Sequence, residues 1–139
     1  MNRLKMLPGL IALFGLFIFF QPIPVHAAEI EIEIFYLPHP PAMAVVGKVE
    51  QVAGEFADVT IKKYSFDDPK SRKMVEKYHL TDHIPVAVFI NGKDSFTIDG
   101  RVLRMRNFPK GDSFVPMFAG EWDYADLRAI LAGLAGEGR

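Results

Sequence analysis

An α/β fold, a four-stranded mixed sheet with helices on both faces, is what this chain predicts, and three observations carry the prediction. Apolar residues switch between the two-residue period of strands and the 3.6-residue period of helices in the order β-α-β-α-β-β-α. Asn91-Gly92 follows an apolar run and is a strong hairpin signal. Two helix starts are marked by proline, at Pro41 and at Asp68-Pro69.

Before the first strand, Arg3 and Lys5 precede the apolar run Leu7 to Phe20, and Val25-His26-Ala27-Ala28 follows Pro22 and Pro24. A positive flank, an apolar core and a small-residue exit make a secretory signal peptide, residues 1–27, with cleavage expected after Ala27. A membrane-spanning anchor wants about 20 apolar residues; this run is shorter and is interrupted by Pro8, Gly9 and Gly15. An uncleaved N-terminal anchor is the alternative. Residues 28–139 are then one exported domain, periplasmic or extracellular, long enough to bury a single core.

The signal takes two of the 16 basic residues and none of the 17 acidic ones, so the remainder is mildly acidic. That balance argues against nucleic acid or an anionic membrane surface as a partner. The lysines at 62, 63, 70, 73 and 77 are interleaved with Asp67, Asp68 and Glu76 and read as a solvated face. Cysteine is absent, so the domain stands on packing alone, which the chain's share of large apolar residues, twelve phenylalanines over its full length, makes feasible.

Taken in order, Glu29 to Leu37 alternates charged and apolar residues and then becomes wholly apolar, as a strand does on entering a sheet. From Pro41 to Phe56, Ala42, Val45, Val46, Val49, Val52, Ala53 and Phe56 recur at helical steps. Val59 to Ser65 is a second strand, parallel to the first because a helix joins them. The helix opened by Asp68-Pro69 runs to about Tyr78 with Met74, Val75 and Tyr78 inward. Past the link His79 to Ile84, Pro85 to Ile90 is a strand, and Ser95 to Ile98 is expected to return antiparallel beside it. Asp99-Gly100 turns again, and Arg101 to Met105 is a candidate short strand. Asn107 to Gly120, with Pro109, Gly111 and Pro116, is a loop. Asp123 caps a last helix whose inner face is Tyr124, Leu127, Ile130, Leu131 and Leu134, and Gly136 to Arg139 is a frayed tail.

Strand IEIFY, the proline-rich turn after it, helix VEQVAGEF, strand VTIKKY, the Asp-Asp-Pro helix start and above all HIPVAVFINGK together resemble the thioredoxin-like superfamily, nearer its compact glutaredoxin-like members. The resemblance covers about Ile30 to Ile98. It implies that Pro85 is the family's cis-proline facing the active site, and that Ile84 before it offers its backbone to an extended peptide. On the residues alone, Pro85 can equally start a strand. The family's Cys-Pro-x-Cys falls on Pro40-Pro41-Ala42-Met43; one residue of slippage puts His39 and Ala42 at the cysteine positions instead. Neither register supplies a thiolate, which alone attacks a disulfide.

The expected function is therefore not enzymatic and needs no cofactor. It is a redox-inactive binding or accessory module whose surface of His39, Pro40, Pro41, Met43, Ile84 and Pro85 holds a protein or an extended peptide. The aromatic and methionine-rich stretch Phe108 to Trp122 borders that surface. The alternative is a copper carrier in which His39, Met43 and His83 converge, since imidazole and thioether suit Cu(I). No hydrolase motif or phosphate-cradling glycine loop is present.

Overall fold

Successive residues of β1, Ile30–Tyr36, point to opposite faces of a sheet, and each face buries its own core. The computed structural model describes residues 29–80 and 83–137. The expected signal peptide thus lies outside the described residues, among which no helix is long and apolar enough to cross a membrane.

β1 is central. It runs parallel to β2, Val59–Ser65, and antiparallel to β3, Val86–Ile90. Ile30, Ile32 and Ile34 with Val86, Val88 and Ile90 pack under α1, Pro40–Ala53, and α3, Tyr124–Glu137. Phe35, Ala87 and Phe89 face the other way, against Met74 and Val75 of α2, Arg72–Lys77. Phe35 centres that second core: it stacks on Tyr64 at 4.9 Å and meets Tyr78 and Phe89 edge-on at 5.5 and 5.6 Å. Helices therefore cover both faces.

The expected four-stranded sheet is corrected to a three-stranded sheet, β2-β1-β3, and a separate two-stranded ribbon of β4, Ser95–Ile98, with β5, Arg101–Arg104. Asn91 and Gly92 do adopt the paired positive φ values of a tight hairpin turn, but the pairing ends at Ile90–Lys93. The edge of β3 is taken instead by the chain after β5: Val88 N–H donates to Met105 O and Asn107 N–H to Val86 O, both at 2.8 Å. Burial decides the exchange. Leu103 and Met105 are fully buried, whereas Ser95 and Thr97 are exposed and Phe96 and Ile98 only half-buried.

The expected cis bond before Pro85 is also corrected, because no cis peptide bond occurs among the described residues. The trans form is preferred by about 0.5–1 kcal/mol, and the backbone bond that Pro85 makes among the described residues, accepting from Leu37 N–H, lies downstream of that peptide bond.

Helix ends follow local chemistry. α1 begins at Pro40, one residue early, because two prolines suit its first two positions. Asp68 accepts from Lys70 N–H at 2.9 Å, and the turn it opens, Pro69–Ser71, is 3₁₀ before α2 proper. At the start of α3, Asp123 accepts from Asp126 N–H at 2.9 Å and Asp126 accepts from Asp123 N–H at 3.0 Å, a reciprocal cap. Arg101 of β5 donates to the same Asp126 at 2.7 Å, fastening the ribbon to the helix.

Candidate functional site

The C-terminal end of β1 runs straight into the turn that opens α1. Leu37 N–H donates to Pro85 O at 3.0 Å, which sets this turn beside the segment leading into β3. His39 is the N-cap residue of α1 in an extended conformation, with no capping bond from its side chain. Pro40 and Pro41 carry no N–H, so the helix start presents few donors to its surroundings. An anion site of the usual helix-terminal kind is correspondingly poor here.

Between these segments lies an open pocket of about 240 Å³. Its walls are Leu37, His39, Pro41 and Ala42 from the turn, His83 and Pro85 from the entry to β3, and Phe108 and Phe118 from the long loop. Clefts that hold drug-sized ligands run to about 300–1,000 Å³. This one is smaller and suits a side chain or two of a larger partner.

Of the residues expected to form a binding surface, His39, Pro41 and Pro85 line the pocket, while Pro40, Met43 and Ile84 are not on its wall. Met43 lies outside it, 46 % exposed on the first turn of α1. Ile84 turns its side chain into the second core on the opposite face. Its backbone N–H and C=O have no hydrogen-bond partner among the described residues. Of the copper alternative, His39 and His83 share the pocket and Met43 does not. Among the described residues, no group of three or more His, Asp or Glu side chains is placed to hold a metal ion.

The loop wall is rigidly based. Phe108 and Ala119 form a parallel bridge, Gly120 N–H donates to Phe108 O at 2.7 Å, and the buried Trp122 donates through its indole to Asn107 O at 3.2 Å. Further out, Asp112 accepts from Lys48 of α1 at 3.1 Å and from the Tyr124 hydroxyl of α3 at 2.6 Å. Burial and that bond raise the Tyr124 phenol well above its usual range.

Sequence reasoning missed Leu37 and Ala42 as pocket walls. Leu37 is the residue where a buried strand leaves the sheet, and that position is the signal that points to it. Ala42 is a buried helical residue whose small side chain leaves the pocket its depth.

The chain matches no protein-family model. Comparison with curated proteins and with solved structures finds no match either.

Proposed function

We propose that this is an exported, redox-inactive binding module with a thioredoxin-like frame, which holds an extended peptide or partner chain at the pocket between His39, Pro41, His83 and Pro85. The observation that carries the reading is the pocket itself: three separate segments converge on a mostly apolar concavity sized for side chains. A central parallel strand pair, an antiparallel third strand, helices on both faces and a prolyl segment beside the first helix support the thioredoxin-like frame. The frame lacks any cysteine, so it offers recognition without a covalent step. A bound chain would seat one apolar side chain in the pocket and lay its backbone along the Ile84 segment, a short form of strand addition.

Photo-crosslinking tests this. A photoreactive residue at Pro41 or His83 is expected to capture a partner in the native compartment, and one at Lys73, on the outside of α2, is not. Capture from Lys73 alone would replace the pocket by a scaffold role with contacts on the helices' outer faces.

The shared pocket of His39 and His83 keeps copper as a second reading. Cu(I) titration against a competing chelator is its test, with a His39→Ala, His83→Ala variant as reference. Equal binding by the two proteins would remove the copper reading.

A further inference from the structure

Phe114 is 94 % exposed and Met117 74 % exposed, with Val115 between them also in solvent. No charged residue occurs from Ser113 to Gly120. The tip that carries these side chains is held in shape: Ser113 Oγ donates to Val115 O at 2.6 Å and accepts from Val115 N–H at 3.2 Å, and Pro116 opens a single 3₁₀ turn. A buried aromatic side chain removes about 150–250 Å² from water, so Phe114 is a large apolar group left in solvent. Four positions along the chain, Phe118 forms a wall of the pocket, which is open and mostly apolar.

We infer that this end of the domain is self-complementary: Phe114 of one copy seats in the pocket walled by Pro41, Pro85, Phe108 and Phe118 of a second copy, and reciprocally about a two-fold axis. A two-fold contact uses one patch on both subunits, so knob and hole must lie within that patch; Phe114 and Phe118 sit on one short loop. Because the Ser113–Val115 bonds and the turn at Pro116 restrict the backbone of the tip before contact, less ordering is lost on association. Lys110 and Glu121, both exposed, flank the loop with opposite signs, so two identical faces need not repel.

Area sets the strength. The knob consists of three exposed apolar side chains, Phe114, Val115 and Met117, whereas a stable interface takes about 20–30 residues from each partner. The association is therefore weak and reversible. This inference rests on the pocket being a binding site, and it makes a bound peptide and a second copy mutually exclusive.

Sedimentation velocity over a wide dilution series is expected to show a concentration-dependent dimer, weakened more than about tenfold in Phe114→Ser. Phe114 is exposed, so an unchanged circular dichroism spectrum should accompany the substitution. The absence of native cysteine permits a positional check: a Val115→Cys chain mixed with a His83→Cys chain should give the mixed disulfide on mild oxidation. A wild type monomeric throughout, a Phe114→Ser protein that dimerises as tightly, or no mixed disulfide would each overturn the inference. Partner capture from Pro41 in the Phe114→Ser background separates the two readings: retained capture with no wild-type dimer leaves the peptide pocket standing and removes only self-association.

Discussion

The Tyr124 hydroxyl donates to Asp112 at 2.6 Å, so the first turn of the last helix holds the long loop that walls the pocket. Lys48 from α1 completes the tie, with its ammonium on Asp112 at 3.1 Å and 5.2 Å from the centre of the Tyr124 ring. Tyr124→Phe keeps the packing and deletes one hydrogen bond, at an expected loss of about 0.5–1.5 kcal/mol in denaturant unfolding. Hydrogen exchange should localise the change, with faster exchange at amides 108–120 and little at β1. Uniform acceleration across both would mean that Tyr124 supports the whole fold rather than the loop.

Gly120→Ala is expected to be worse than its size suggests. A Cβ there would stand 2.5 Å from Arg106 O and 2.8 Å from Phe108 O, both backbone atoms that cannot swing aside. The base of the loop must open, at roughly 1–3 kcal/mol. A lower urea midpoint together with reduced photo-capture from Pro41 checks the link from this glycine to the pocket; an unchanged midpoint would contradict it.

Glu33 is 2 % exposed in the middle of β1, and Tyr78 supplies its hydrogen bond. Tyr78→Phe leaves the buried Glu33 side chain without that hydrogen bond, with an expected loss of about 1–3 kcal/mol. A Glu33→Leu, Tyr78→Phe double variant removes both polar groups and should recover much of that loss. If the double variant is less stable by the full sum of the single effects, the two side chains are energetically independent.

Alkaline pH should weaken the fold through the same tyrosines. Burial first, then the bonds to Glu33 and Asp112, raise the phenols of Tyr78 and Tyr124 above their ordinary value of 10.0. Their folded forms therefore hold the proton more tightly than the unfolded chain does. That contribution to stability is complete below about pH 10 and falls as pH rises from there towards the folded values. Urea unfolding at a series of alkaline pH values should show this decline, and a Tyr78→Phe, Tyr124→Phe variant should show a shallower one.

Pro40 and Met43 are both exposed, three residues apart on the first turn of α1, where side chains share a face. Wild-type protein should not reduce insulin disulfides. A Pro40→Cys, Met43→Cys variant should form an intramolecular disulfide and gain reductase activity, because a thiol at a helix N-terminus is acidified. A variant whose two thiols stay unpaired under mild oxidation would count against the thioredoxin-like frame in this register.

Much of the architecture was legible because single residues announce it. The helical spacing from Ala42 to Ala53 and the proline helix starts reflect local chemistry: they placed the start of α1 within one residue, and at Pro69 they marked the 3₁₀ turn that leads into α2 three residues later. Pairing is not local. Ser95 to Ile98 and Arg101 to Met105 compete for one edge of β3, and the contest turns on the burial of Leu103 and Met105, which periodicity alone does not rank. At the site, His39, Pro41 and Pro85 were readable from the string around them. Ile84 was named for its backbone; its side chain leaves the pocket because adjacent residues of an extended chain point to opposite faces, so Pro85 reaches the pocket and the Ile84 side chain the other core.

β1 enters at Ile30 and delivers the chain to the pocket at Leu37, a run of about 23 Å at the usual strand rise. The chain's point of entry into the domain and the pocket consequently lie at opposite ends of the central strand. A label or immobilising group joined ahead of Glu29 should therefore leave the mouth of the pocket unobstructed.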